Sequence, residues 1–445
     1  MNLATLPPSE LGTTRPADAR PGLVLVFADG AATARVIPLV DGAVELGRGT
    51  EGPDKLDDGR ISRRHTRLTC IDGQFAATDL GSQNGTFVDG HQVAPDVPGP
   101  LHRVLRLGDS ALVPCADLTP LMERGVRSVD GFVRGPAMQA LLEEVARAAA
   151  IGSVLHVRGE SGTGKEGVAA AFHRAGPRAG GPLVAVNCAA IPPAIAERLL
   201  FGAKRGTYSG ADQDASGYLL DADGGTLFLD EIAELDAQVQ AKLLRVIESR
   251  EVVPLGTSRP RPIEIGFVSA TNKDLRALVA AGTLRDDLYF RIGTPAITIP
   301  PLRERPEEIA ALVAAELARL SLTAHVSLVE QCLLRPWPGN VRELLAELRA
   351  AAHAAHPETR VLARHLASSA GSVFSTAATS TEMSPEPVRK RMPQTVDDDW
   401  RARIENAMRA NDGKVAAAAR ALGLHRTQLR RLIERHGIAV EPDDE

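Results

Sequence analysis

Between residues 22 and 115, short apolar runs (LVLVF, ARVIPL, AVELG, TRLTC and FAATDL) alternate with the turn signals DG, GRG, DDGR, IDG and NGT. Strands of this length between tight turns predict an all-β sandwich. From Gly131 the pattern changes to long helical periods that alternate with the buried runs VLHVRG, LVAVNC, GTLFLD and IGFVSATN. That alternation predicts a parallel α/β sheet. Beyond residues 300–306 the periodicity is almost wholly helical to about Ser369. Residues 370–393, rich in Ser, Thr, Ala and Pro, have no period and read as a linker. A last helical unit precedes the acidic tail EPDDE, and no internal repeat is present. The fold class expected is multidomain. It comprises a mobile leader (1–21), a sandwich (22–117), a linker (118–128), an α/β subdomain (129–300), a helical lid (301–368), a second linker (369–396), an all-α unit (397–438) and an acidic tail (439–445).

A chain of 445 residues is too long for one core, and 44% hydrophobic with 24% charged residues is ordinary for a soluble globular protein. No apolar stretch is long enough to span a bilayer, and the first twenty residues lack a signal-peptide design, so a cytoplasmic protein away from membranes is expected. Cys70, Cys115, Cys188 and Cys332 are scattered, without zinc or disulfide spacing. A net charge of −5 gives no hint of nucleic acid. Its distribution does: from Trp400 to Ile438 nine basic residues face Glu405, Asp412 and Glu434, an electrostatic footprint for phosphate.

Gly159, Glu160, Ser161, Gly162, Thr163, Gly164, Lys165 and Glu166 follow an apolar strand and open a helix. Such glycines let backbone N–H groups curl around phosphates, and the lysine reaches the terminal ones, so the segment is a candidate ATP site. Glu166 stands where the general motif has a hydroxyl for magnesium. The run GGTLFLDE ends in Asp230 and Glu231 at a strand terminus. Asp230 is the candidate Mg²⁺ holder, through water, and Glu231 the candidate group that activates the attacking water in ATP hydrolysis.

In order, GESGTGKE, VNCAAIP, SATNKDL, LRDDLYFRI and WPGNVREL make the chain resemble the AAA+ domain of sigma-54-dependent transcriptional activators, the bacterial enhancer-binding proteins, over about residues 131–368. In that family glutamate after the lysine is usual. The resemblance implies that Asn187 restrains Glu231 and that Asn272 occupies the sensor I position. It further implies that Arg285 and Arg291 reach a neighbouring subunit's γ-phosphate and that Arg342 of the lid touches nucleotide. It implies homo-oligomers, from a dimer to a hexameric ring, with sigma-54 RNA polymerase holoenzyme as partner. The competing assignment for Arg285 and Arg291 is a surface ion pair with Asp286 or Asp287. The family's sigma-54-contact loop, usually GAFTGA, reads Gly206, Thr207, Tyr208, Ser209, Gly210 and Ala211 here. Ala203 and Lys204 replace the usual His-Glu.

The sandwich resembles a forkhead-associated (FHA) domain through LGR at 46–48, ISRRH at 61–65 and DLGSQNGTFV at 79–88. Arg48, Ser62, Arg63 and Asn84 are its candidate phosphopeptide contacts, which implies a phosphothreonine peptide from a Ser/Thr kinase substrate as partner. His65 would support the loop. The competing assignment makes Asn84 and Gly85 a plain hairpin turn. Residues 400–438 resemble a Fis-type helix-turn-helix. Arg426, Thr427 and Arg430 are candidates for base edges of promoter-upstream DNA, and Arg420, Arg431 and Arg435 for phosphates. The whole reads as an ATP-driven, DNA-binding activator of sigma-54 polymerase. Two alternatives stay open: an AAA+ regulator with another client, and a non-catalytic phosphopeptide-dependent DNA-binding regulator.

Overall fold

The computed structural model describes residues 19–52, 55–129, 131–207, 213–373, 407–409, 411 and 415–421. Two compact units divide the chain, Met1–Ser375 and Thr376–Glu445. In the first, ten strands form the sandwich: β1 (Gly22–Ala28), β2 (Ala31–Pro38), β3 (Ala43–Leu46), β4 (Thr66–Ile71), β5 (Gln74–Asp79), β6 (Thr86–Val88), β7 (His91–Gln92), β8 (Pro98–Leu101), β9 (Leu105–Leu107) and β10 (Ser110–Cys115). One sheet has the order β2-β1-β10-β9-β6-β7, the other β3-β4-β5-β8. Leu23, Leu25, Ile37, Leu46, Leu68 and Leu112 fill the space between them.

β1 is apolar on both faces because both are covered. Leu23 and Leu25 point into the sandwich. Val24, Val26 and Phe27 belong to a second core, and a register shift between Leu25 and Phe27 brings the last two to the same side. β10 divides likewise, with Leu112 inward and Ala111 and Val113 outward. Residues 118–128, expected to be a linker, instead begin with a helix at Thr119–Arg124. Asp117 Oδ1 accepts the Thr119 N–H at 3.0 Å, and Leu118 and Leu121 are buried in the second core, so burial overrides the linker composition.

The α/β part runs α1 (Pro136–Ile151), β11 (Val154–Arg158), α2 (Lys165–Ala175), β12 (Leu183–Asn187), α3 (Pro193–Phe201), β13 (Thr226–Asp230), α4 (Ala237–Ser249), β14 (Gly266–Thr271), α5 (Asp286–Ile292) and β15 (Ala296–Thr298). Its sheet is parallel throughout, in the order β12-β13-β14-β11-β15. Burial on both faces explains why β14 is buried at all six positions. β15, only three residues long, left no readable apolar run. The carboxyl ends of β11, β13 and β14 open on one edge, where ligands bind in such sheets.

The lid is α6 (Pro306–Arg319), α7 (Val326–Leu334) and α8 (Asn340–Ala355). Ile309, Ala310, Val313 and Leu317 give α6 one apolar stripe. That stripe packs with Val24, Val26, Phe27 and Val113, so lid and sandwich share a core. At about 1.5–3 kcal/mol for each fully buried side chain of this size, these four alone outweigh an ordinary surface contact. Among the described residues no helix is long and apolar enough to cross a membrane. In the second unit α9 (Val415–Ala421) buries Val415, Ala418 and Ala419.

Trp337, with no exposed surface, fills the lid and donates Nε1–H to Cys332 O at 2.7 Å. Trp337→Ala should cost about 3–5 kcal/mol of lid stability, measured as a lowered urea midpoint; an unchanged midpoint would show that the lid repacks.

Candidate functional site

The strand β11 delivers the chain to a loop that ends at the first residue of α2, Lys165. Gly162 and Gly164 carry φ of +77° and +102°, which glycine adopts freely. A Cβ at Gly162 would lie 2.1 Å from Gly339 O, so the loop needs glycine for the lid to approach. Thr163 is buried and donates Oγ1–H to Glu160 O at 2.8 Å. Glu166 is exposed in the first turn of α2, where negative charge suits the helix dipole.

Lys165 Nζ, buried, lies 3.2 Å from Gly159 O, 3.2 Å from Glu231 Oε1 and 3.8 Å from Asp230 Oδ1. Glu231 sits just past the end of β13 at φ +51°, ψ +49°, a conformation that costs a non-glycine residue about 1–3 kcal/mol. Its Oε2 accepts from Thr271 Oγ1–H at 3.2 Å and from the Asn272 N–H at 3.4 Å. Burial raises the Asp230 carboxyl above its ordinary value, Lys165 opposing and Glu231 reinforcing the shift. One carboxylate of this kind beside phosphate-binding groups fits a Mg²⁺ held mostly by water and substrate.

Asn187 departs from its expected role. Its backbone pairs with Asp230 across β12 and β13, but its Oδ1 accepts from the Ala189 N–H at 3.0 Å, capping the following turn. Among the described residues, Lys165, Thr271 and Asn272 hold Glu231. Thr271, in the quoted SATNKDL, was the missed partner.

Arg285 precedes α5, and its fork takes both oxygens of Asp287 at 3.0 and 2.7 Å. Arg291, on α5, lies 3.6 Å from Glu248. The Arg285 pair is one the competing assignment named, whereas Arg291 meets Glu248 instead of Asp286 or Asp287; exposed pairs such as these are worth only about 0–1 kcal/mol. Between them Phe290 is 76% exposed, an unusual setting for a ring of that size.

Arg342, in the first turn of α8, donates Nη1–H to Ser161 Oγ at 3.1 Å. The firmer tie is one that sequence reading missed. Asn340 is fully buried at φ +52°, accepts the Leu302 N–H at 2.7 Å, and donates Nδ2–H to Glu160 Oε2 and Ser161 O, each at 3.0 Å. Arg303 takes both Glu160 oxygens at 2.9 and 2.8 Å and holds that carboxyl below its ordinary range. Asn340 stands inside WPGNVREL, but nothing in that string pairs it with a residue 180 positions earlier.

Of the candidate sigma-54-contact loop, Gly206 and Thr207 are described; Tyr208, Ser209, Gly210 and Ala211 lie outside the described residues. The neck is closed by an Ala203–Ala215 bridge and a Lys204–Asp214 ion pair. Leu255 O accepts the Lys204 N–H at 2.9 Å from behind.

In the sandwich the three quoted segments come together. The Arg48 N–H donates to Ser62 O at 3.1 Å, the Gly49 N–H to Arg63 O at 3.0 Å, and the Gln83 N–H to Ser62 Oγ at 3.1 Å. Asn84 donates Nδ2–H to Arg60 O at 2.7 Å, which is more than a bare hairpin turn requires. His65 is fully buried: its Nδ1 accepts the Ser62 N–H at 3.1 Å, and its Nε2 meets Gly85 O at 3.2 Å. Burial pushes that imidazole below its ordinary value, so it stays neutral and structural. Arg48, Arg63 and Asn84 remain exposed.

Of the candidate DNA contacts, Arg420 lies in α9 with its side chain undescribed, and Arg426, Thr427, Arg430, Arg431 and Arg435 lie outside the described residues.

Residues 132–298 match the family described as the sigma-54 interaction domain, 44–107 the FHA domain, and 401–436 the Fis family of bacterial regulatory proteins. The chain is 39% identical over 329 residues to the nitric oxide reductase transcription regulator NorR1 of Cupriavidus necator, covering 69% of this chain and 64% of that protein. It is 35% identical over 314 residues to the transcriptional regulatory protein GlrR of Escherichia coli, covering 68% of this chain and 67% of that one. The crystal structure of NtrX from Brucella abortus in complex with ADP matches with a TM-score of 0.50 and 26% identity over 68% of each chain. The chain spans between about half and two thirds of the length of the curated relatives it matches.

The lid tie has a measurable consequence. Hydrogen bonds to charged groups contribute about 1.5–3 kcal/mol, so Asn340→Ala should weaken ADP binding by about ten- to a hundredfold in calorimetric titration. Unchanged affinity would show that nucleotide binds without the lid.

Proposed function

Because the chain belongs to the family of sigma-54-dependent transcriptional regulators, we propose that it is a cytoplasmic, ATP-hydrolysing activator of sigma-54 RNA polymerase, bound to promoter-upstream DNA and gated by phosphothreonine recognition. The observation that carries this reading is the convergence of Lys165, Asp230 and Glu231 at the carboxyl edge of the parallel sheet, under a lid tied to the phosphate loop.

The chemistry follows from those positions. The backbone of residues 159–165 cradles the ATP phosphates, and Lys165 turns from the carboxylates to the β- and γ-phosphates. That move frees Glu231 Oε1 to accept a proton from the attacking water, while Thr271 and the Asn272 N–H keep Oε2 aimed. Asp230 would be the residue to hold Mg²⁺, and the ion would supply neutralisation of phosphate charge. Arg285 and Arg291 leave weak surface pairs to serve a neighbour's γ-phosphate, so the active form is a ring. Arg342 reports nucleotide to the lid. The loop at 206–211 engages sigma-54, and Arg420, Arg426, Thr427, Arg430, Arg431 and Arg435 hold DNA. Arg48, Ser62, Arg63 and Asn84 bind the phosphothreonine peptide.

A second reading keeps the ATPase and changes the client. It is favoured by the loop itself, which reads GTYSGA and stands on a Lys204–Asp214 neck. The deciding experiment is capture of sigma-54 by the full chain with ADP and a γ-phosphate transition-state mimic. Nucleotide-dependent capture is expected; its absence from a protein that hydrolyses ATP would make the second reading the better one.

Ring catalysis has its own signature. ATP turnover per subunit should rise steeply with protein concentration, and Arg285→Ala should lower it by about 10³-fold or more. Mixing Arg285→Ala with Glu231→Gln subunits should give more turnover than either alone, since one brings an intact site and the other an intact finger. Turnover that stays flat on dilution, or mixtures no better than their parts, would remove the shared site.

A further inference from the structure

The sandwich holds α7 at its middle and its end and lies close beside its start. At its start, His325, whose Nδ1 accepts the Ser327 N–H, lies 3.9 Å from Asp109 Oδ1. At its middle, Glu330 Oε2 accepts Arg106 Nε–H at 2.8 Å, and both side chains are largely buried. The same guanidinium stacks 3.7 Å above the Phe87 ring. At its end, Leu334 O accepts Arg103 Nη1–H at 2.6 Å. Around these contacts Val329, Cys332 and Leu333 of α7 share one core with Val24, Val26 and Phe27 of β1.

Both ends of this joint lead to a site. On the sandwich side, Asp109 Oδ1 pairs with Arg60 Nη1 at 3.3 Å, and Arg60 O holds Asn84, a phosphopeptide contact. On the lid side, Cys332 O is held by Trp337, three residues before Asn340, which binds Glu160 and Ser161 of the phosphate loop. A tethered reader would swing on a linker. This one has no linker to the lid across which to swing, because its outer sheet face is the lid's inner wall.

We propose that the sandwich is a working part of the ATPase lid, so that phosphopeptide occupancy and nucleotide occupancy are thermodynamically linked through α7. The proposal rests on the two binding sites assigned above and adds how they communicate. It requires no release of the sandwich. It also requires reciprocity, since each ligand must change the other's affinity by the same factor.

The test measures affinity of the full chain for fluorescent mant-ADP with and without a saturating degenerate phosphothreonine peptide pool, and the pool's affinity with and without ADP. Arg48→Ala serves as the control that loses peptide. The expected result is an equal shift in both directions, of about five- to 150-fold. That shift should fall towards one in Asp109→Asn, and in the double variant Arg106→Gln with Glu330→Gln, while each ligand alone binds as before. The double variant is used because removing one partner would strand a buried charge. No shift in the wild-type chain when both ligands bind overturns the proposal, as does a full shift that survives both variants. If one ligand fails to bind, the site assigned to it falls, and the joint is judged on the other by hydrogen exchange. ADP must then change protection of β10, or the peptide that of α7; unchanged exchange overturns the joint itself.

Discussion

Asn340 has no exposed surface, and its single amide joins the root of the lid to the phosphate loop. Its oxygen takes the Leu302 N–H at the root of the lid, and its nitrogen serves the Glu160 carboxylate and the Ser161 carbonyl of the phosphate loop. An amide buried without partners would cost several kcal/mol, so the site is stable only in the arrangement that satisfies all of them. Arg303 closes the arrangement from the other side of Glu160. The shape of the phosphate loop and the position of the lid thereby become a single variable. The close approach at Gly162, the reach of Arg342 to Ser161 and the placing of α8 all depend on it.

The nucleotide site and the sandwich solve opposite electrostatic problems. In the former, opposite charges neutralise one another across short distances, Lys165 against Asp230 and Glu231. In the sandwich, the buried polar groups are committed for good. Asp79 accepts from Gly81, Ser82 and Thr86; burial raises its carboxyl, but the hydrogen bonds from Ser82 and Thr86 outweigh that and hold it below the ordinary range. With His65 neutral and doubly engaged, the loops are fixed from beneath. Arg48, Arg63 and Asn84 stand on that rigid frame.

Local patterns carried most of the fold. Apolar runs located β1 to β5 and four of the five parallel strands, because each run is long enough to show its own period. β15 and the helix at Thr119–Arg124 escaped, the first by shortness and the second because two leucines, Leu118 and Leu121, decided it through a distant core. LVLVF contained more than was read from it. A strand apolar at consecutive positions has both faces covered, and that was the available sign that the sandwich is not a free module. In the site, residues within one motif were legible, whereas partnerships between motifs were not. Glu160 with Asn340 and Glu231 with Thr271 are pairs that only the folded chain brings together. Asn187 shows the reverse: a motif position whose side chain the local turn claims first.

The bridge between Ala203 and Ala215, with Lys204 paired to Asp214 and Thr207 Oγ1–H donating to Lys204 O and Leu255 O, fixes the width of the base on which the segment stands. A mounting of constant width works like a socket. Letters carried beyond such a base can diverge while the ATPase beneath it is inherited unchanged. The spelling GTYSGA on an otherwise recognisable ATPase is the kind of divergence such a mounting permits.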